Sequence, residues 1–273
     1  MFILPPIVAF AFTVALALAL YALGNVLVRR WRAVPVRLVL LLIGLALAFP
    51  ALVYSLYYLH WFEDGPWLLR IRWAPLAEYY AAGLGLLAGT VAGWLPESRL
   101  SRLLKHSSIL PLMLLWLAVP FLKPLLTPIT WLPMKDEWRE GVCIQSTGST
   151  CGPASAATLL QAYGIEVTEA ELARLSWTSM SSTENWYLGR ALRRYGDVRY
   201  VLTRPNPDHF PCPSIAGTRL PGGIGHFIVI LEERDGRLVI GDPMTGRQTI
   251  LLYDHRPYHF TGFFIVIAPK TRE

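Results

Sequence analysis

A chain of 273 residues has room for more than one structural unit, and a composition 53% apolar and only 16% charged excludes an extended disordered chain. The net charge of +6 comes largely from arginines in short loops between apolar runs, with no aromatic-and-basic recognition motif beside it, so anionic lipid and not nucleic acid is the expected partner. Three cysteines, Cys143, Cys151 and Cys212, are too few for a disulfide framework and lack metal-ligand spacing, so neither a metal nor another cofactor is expected.

Four apolar stretches fill the N-terminal half: residues 4–28, 36–59, 76–95 and 109–126. Each is long enough, or nearly so, to cross ~30 Å of hydrocarbon as a helix of about 20 residues. The first has no Lys or Arg ahead of it and no small-residue cleavage site behind it, so it reads as a retained anchor. The third places Ala81, Gly85, Gly89 and Gly93 at four-residue spacing, a face that lets another helix backbone approach closely. Packing inside the bundle is the expected use of that face; a helix of a partner protein would use it too.

Loop charge sets the expected orientation. The first loop carries Arg29, Arg30, Arg32 and Arg37 and the third Arg99, Arg102 and Lys105, whereas Arg70 and Arg72 of the second are offset by Glu63 and Asp64. Loops one and three are therefore expected in the cytoplasm, and four spans leave both termini, with the C-terminal half, outside. Pro111, Pro120, Lys123 and Pro124 are compatible with an interfacial fourth segment, and losing that span returns the C-terminal half to the cytoplasm.

The expected layout is a transmembrane region over residues 1–129, a linker over 130–140 rich in Trp, Pro and charge, and a soluble α+β domain over 141–269 with helices packed on an antiparallel sheet. Pro153 in a first turn and Gly164 just past the end punctuate a helix that begins at Cys151. Thr168 and Glu171 make a capping box for a second helix, and a third runs over residues 184–195 until Gly196 stops it. Strands are expected over 198–202, 226–231, 237–240, 248–252 and 263–268, with Glu233-Arg-Asp-Gly236 as a hairpin turn.

The chemistry lies in Gln145-Ser-Thr-Gly-Ser-Thr-Cys151-Gly-Pro-Ala, Gly225-His226-Phe-Ile-Val-Ile and Gly241-Asp242-Pro. A thiol acts as a nucleophile in its thiolate form, and the N–H groups and dipole at a helix N-terminus favour that form at Cys151. His226 opens one strand of the hairpin and Asp242 lies just past the end of the other, so the turn brings an imidazole to a carboxylate that would orient it as a base. Gln145, six positions before Cys151, is the candidate oxyanion donor, joined by the backbone N–H at Cys151. His60, His106, His209, His255 and His259 lack such an arrangement and read as structural or surface residues. In an external domain Cys143 and Cys212 have the choice of one bridge or two buried thiols, which spacing alone leaves open.

Taken together these motifs resemble the bacteriocin-processing, double-glycine-leader peptidase domain family, papain-like cysteine peptidases best known as N-terminal domains of peptide-exporting ABC transporters. The resemblance covers residues 141–269 and implies Cys151 as nucleophile, His226 as general base and acid, Asp242 as orienter and Gln145 as oxyanion donor. It also implies a bacterial cytoplasmic-membrane setting. Thr150 stands where an Asp often precedes the cysteine, the membrane helices come ahead of the domain, and no G-x-x-x-x-G-K-[ST] phosphate loop is present, so no ATP site is expected and any export machinery is encoded separately.

The expected function is a membrane-anchored cysteine endopeptidase acting on a peptide or protein precursor, with cleavage after a Gly-Gly-type leader as the first substrate expectation. Two alternatives stay open: a non-catalytic peptidase-like module that binds a leader or partner for export, and a thiol-dependent peptidyl transferase in which an amine takes the thioester.

Overall fold

The computed structural model describes residues 3–59, 65–129, 132–251 and 258–269. The chain divides into two compact units, one spanning Leu4–Leu125 and the other comprising Met1–Ile3 with Leu126–Glu273. His60, Glu63, Asp64 and His255, with residues 130 and 131 of the expected linker and residue 252 of an expected strand, lie outside the described residues.

In the first unit α1 (Pro6–Arg30) and α2 (Val34–Leu59) are long apolar helices. Their buried positions are mostly small: Ala9, Thr13, Ala17 and Gly24 on α1, Gly44, Ala48 and Ala51 on α2. After α3 (Pro66–Trp73), a 3₁₀ segment (Ala77–Ala82) leads into α4 (Gly83–Trp94), which packs against both. A Cβ on Gly85 would lie 1.9 Å from the Ala17 carbonyl oxygen and one on Gly89 2.1 Å from that of Tyr21. The glycine face is thus filled within the unit, and α4 runs parallel to α1. Gly85→Val is expected to destabilise the detergent-purified full chain by about 3 kcal/mol or more, because the obstruction is backbone and cannot rotate away. Thermal denaturation checks this beside Gly65→Ala, whose nearest neighbour is the Trp67 side chain at 3.4 Å and whose expected effect is small.

The count of four spans is corrected to three candidates. Among the described residues, the helices long and apolar enough to cross a membrane are Pro6–Arg30, Val34–Leu59 and Arg99–Leu126. The stretch 76–95 differs because Leu76 adopts a left-handed conformation (φ 61°) and the chain then makes 3₁₀ turns. Its α-helix proper has twelve residues, about 18 Å at the standard rise, and carries glycines suited to neighbouring helices instead of lipid. The last run passes through α5 (Arg99–Leu104), a π segment (Lys105–Ile109), α6 (Leu110–Ala118), a 3₁₀ turn at Pro120 and α7 (Leu122–Leu126).

Contacts within this unit fix its two ends. Arg29 pairs with Glu97, and Arg37 lies over the Trp94 ring at 5.6 Å, so the loop after α1 and the start of α5 share one end. Phe10 and Phe121 rings are 5.6 Å apart, and Trp116 Nε1 donates to Ser55 Oγ at 2.5 Å, which puts α7 at the opposite end, beside the start of α1 and the end of α2.

The second unit opens with a hairpin of β1 (Glu137–Arg139) and β2 (Val142–Ile144), so part of the expected linker is strand. The helices α8 (Cys151–Gln161), α9 (Glu169–Leu175) and α10 (Asn185–Leu192) follow. Thr168 Oγ1 accepts from Glu171 N at 3.1 Å, which supplies the expected cap. Six strands then make one antiparallel sheet in the order β3-β8-β4-β5-β6-β7: β3 (Gly196–Leu202), β4 (Ser214–Arg219), β5 (Gly225–Arg234), β6 (Arg237–Asp242), β7 (Gly246–Leu251) and β8 (His259–Pro269). Strand β4, absent from the sequence expectation, pairs with β5 and β8 near the middle of the sheet. Asp235 (φ 51°) and Gly236 (φ 71°) make the tight turn that sets the β5–β6 hairpin. Phe210, Ile228, Ile230, Leu238, Ile240, Phe260 and Phe264 belong to one buried cluster, while α8 packs on β5 with Ser155 Oγ donating to Phe227 O at 3.0 Å.

Candidate active site

The hairpin determines where the imidazole and the carboxylate meet. Val229 pairs with Gly241, so Asp242 stands across from Ile228, and His226 lies two residues further along on the same face. Such a diagonal pair is within reach of long side chains. His226 Nε2 donates to Asp242 Oδ1 at 2.9 Å, with both residues buried. Cys151, the first residue of α8, is 9% exposed, and its thiol acts on the His226 imidazole. With Nε2 engaged by Asp242, Nδ1 is the ring nitrogen left to the thiol.

Asp242 receives two further donors. Met244 N donates to Oδ1 at 2.8 Å, and the Tyr258 hydroxyl donates to Oδ2. Burial works against the carboxylate's charge, but hydrogen bonds from His226, Tyr258 and Met244 outweigh it and hold the group below its ordinary range. Burial likewise opposes the imidazolium, yet the hydrogen bonds to Asp242 and Cys151 and the charges of both residues push His226 up to about 9. Tyr258 is pushed up by burial and by the carboxylate it faces.

Nothing in the sequence singled out Tyr258. It precedes β8 among aromatic residues, and its hydroxyl reaches Asp242 only through the fold. Tyr258→Phe removes one donor to a buried carboxylate, at a cost of about 1.5–3 kcal/mol. A carboxylate held below its ordinary value contributes stability that is present above the unfolded value and lost as pH falls through the folded one. The variant is expected to shrink that contribution and begin acid unfolding at higher pH than wild type. Thermal midpoints measured from pH 7 down to pH 3 check it, and coincident curves would refute it.

Gln145 lies in the loop between β2 and α8. Its backbone N–H donates to Pro243 O at 2.8 Å, tying the loop to the turn after Asp242. Its side-chain Nε2 donates to Thr147 O at 2.9 Å, which leaves one amide hydrogen for another acceptor. Glu169, fully buried and also missed from sequence, accepts from Ser146 N at 2.9 Å and from Ser146 Oγ, and so anchors the same loop.

The structure does not bring the remaining cysteines to this cluster. Cys143 and Cys212 are free thiols, one buried and one exposed, so the disulfide alternative is not realised. Burial first and acidic neighbours second push Cys143 up to about 12. Cys212, an exposed residue whose sulfur is turned in toward Phe210 O at 3.4 Å, is pushed up to about 11 by the partial burial of that sulfur and by Glu233 and Glu232. His209 Nδ1 bonds Glu233 Oε1 at 2.8 Å on the surface. Among the described residues no group of three or more His, Cys, Asp or Glu is arranged to hold a metal ion.

The C-terminal half of the chain is similar to known proteins. The model of the peptidase C39 family matches residues 139–272. An uncharacterized protein of Methanothermobacter marburgensis is 35% identical over 132 residues, covering 47% of this chain and 88% of that protein. Among solved structures, the peptidase domain of Streptococcus ComA, a bi-functional ABC transporter involved in a quorum-sensing pathway, is 23% identical with a TM-score of 0.42, covering 47% of this chain and 98% of that one. A double-glycine-motif protease from an AMS/PCAT transporter, solved in complex with the leader peptide, is 25% identical with a TM-score of 0.40, covering 47% and 91%. The family match extends over β2, α8 and the whole six-stranded sheet, including Cys151, His226 and Asp242, and on that match together with its archaeal relative the chain belongs to the peptidase C39 family.

Proposed function

We propose that this protein is a membrane-anchored cysteine endopeptidase using Cys151, His226 and Asp242, with Gln145 as oxyanion donor. The observation that carries the reading is a buried His226 hydrogen-bonded to Asp242, with the Cys151 thiol at the start of α8 acting on the same imidazole. Nδ1 of His226 takes the thiol proton, and the thiolate adds to the peptide carbonyl. The oxyanion is met by the backbone N–H of Cys151, in a first helical turn that lacks intrahelical acceptors, and by the second amide hydrogen of Gln145. The imidazolium then protonates the leaving amine, so the C–N bond breaks and a thioester remains. Water, giving its proton to His226, hydrolyses that thioester and restores the thiol. Asp242 fixes the ring so that the same nitrogen gives and takes protons throughout.

The membrane part consists of apolar helices, and the side taken by the peptidase domain belongs to this proposal. The end of the helical unit carrying Arg29, Arg30, Arg32, Arg99 and Arg102 faces the cytoplasm by the positive-inside rule. The stretch 76–95, with α4 parallel to α1, carries the chain back through the bundle from the end of α2 to the Arg99 end, and Leu126 leaves from the other end, which favours an extracytoplasmic domain.

The test is incubation of the full chain with quenched-fluorescent peptides carrying Gly-Gly, the substrate class implied by the family resemblance, followed by product masses. Two hydrolytic fragments are expected. A fragment ligated to an added amine would indicate transfer, and tight binding without turnover in reducing buffer would indicate a binding module.

A further inference from the structure

We infer that the peptide bonds cut by this protein lie close to a bilayer surface, because the segment following the last apolar helix is built into the support of the cysteine's loop. The inference rests on the peptidase reading and deepens it. Leu126 ends the third candidate span, and the chain is hydrogen-bonded into the C-terminal unit from the next residue on. Met180 N donates to Thr127 O at 2.8 Å, Pro128 and Ser179 form a β-bridge, and Ile129 N donates to Thr178 O at 3.4 Å with Ile129 fully buried. The same three-residue loop reaches the site: Ser149 Oγ donates to Met180 O, and Ser149 is two residues ahead of Cys151. A second connection runs from Thr178 Oγ1 to Thr183 Oγ1 at 2.8 Å and from Thr183 Oγ1 to Ser149 O at 3.4 Å.

This strap of residues 127–129 lies outside the family-matched segment 139–272, so it is an addition to the peptidase domain of this chain. Two hydrogen-bonded steps and two residues of chain separate Thr127 from Cys151, which bounds their distance at about 20 Å. Thr127, the first residue of the strap, follows Leu126 directly in the chain. About six extended residues cover that distance, so the fitting substrate is a polypeptide anchored in or emerging from the bilayer with its cleaved bond a few residues from the membrane. A substrate held there gains effective concentration that a dissolved peptide lacks.

The experiment uses the full chain in phosphatidylcholine–phosphatidylglycerol vesicles and one Gly-Gly reporter peptide in three forms: free, palmitoylated through a spacer of about 6 residues, and palmitoylated through about 30. At equal surface density the short-spacer form is expected to be cut about tenfold faster than the long one. A flexible Gly/Ser insert of about 20 residues between Leu126 and Thr127 should abolish that preference while hydrolysis of the free peptide stays at the wild-type rate. Equal cleavage of both spacers by the unmodified chain overturns the inference and leaves the peptidase reading standing. A readout independent of catalysis is energy transfer from a dye on Cys151, in a Cys212→Ser background, to headgroup acceptors. Transfer is expected to fall in the insert variant, and identical transfer in both proteins overturns the positional claim even if no peptide is cut. Failure of every form to be cleaved, with transfer behaving as expected, sinks the peptidase reading instead.

Discussion

Cys151→Ala is expected to give a folded protein whose peptide hydrolysis falls by about 10³-fold or more, the scale on which removing a covalent nucleophile acts. The fold should survive because the change removes one atom at a helix start that is 9% exposed, and no main-chain bond depends on the sulfur. The sharper form of the prediction concerns which thiol reacts. Cys143 is buried and pushed up to about 12, and Cys212 up to about 11, so both are held as thiols at neutral pH and react slowly with iodoacetamide. Cys151 has the His226 imidazole, oriented by Asp242, acting on it and stands at a helix N-terminus. At pH 7 one alkyl group is therefore expected, on Cys151, with hydrolysis lost in proportion to labelling. Peptide mapping by mass spectrometry reads both quantities. Labelling that falls first on Cys212, or activity that survives full alkylation of Cys151, would remove Cys151 from the mechanism.

The chain makes some of this arrangement visible before any coordinates and hides the rest for identifiable reasons. Pro153 and Gly164 mark the ends of α8, and the Asp235-Gly236 turn marks the hairpin, because each depends on local backbone preference. Given that hairpin, the proximity of His226 and Asp242 follows from register. Strand β4 was not visible: Ser214-Ile-Ala-Gly-Thr-Arg219 has little strand propensity, and its place between β5 and β8 is set by tertiary pairing. Tyr258 and Glu169 escaped for a related reason, since each acts on a residue remote in sequence. Hydropathy read the stretch 76–95 as one more span, but apolar side chains are equally at home against lipid and against neighbouring helices. The close approach of Gly85 and Gly89 to α1 is what distinguishes the two. Gln145 illustrates local competition, in which a loop of Ser and Thr supplies a carbonyl, Thr147 O, that engages the amide.

Asp242→Ala is expected to cost the second large loss, because three donors converge on one buried carboxylate. Its removal leaves His226 Nε2, the Tyr258 hydroxyl and Met244 N without that acceptor, and breaking a buried pair of this kind costs about 3–5 kcal/mol of stability. Hydrolysis should fall by about 10³-fold or more, since the ring loses both its orientation and the charge that stabilises its protonated form. The pH dependence gives the sign. In the wild type His226 is raised from 6.5 to about 9, so the stability it contributes is fully present below pH 6.5 and lost as pH rises toward 9. In Asp242→Ala that window should close, the imidazole titrating well below its wild-type value in histidine NMR spectra and thermal stability between pH 6.5 and 9 becoming flatter. Asp242→Asn separates the two roles: it keeps an oxygen for Nε2–H and should hold the ring, but it lacks the charge. Its activity is expected between wild type and the alanine variant, with a His226 titration close to that of alanine. A His226 titration unchanged in both variants would show that Asp242 does not act on the imidazole.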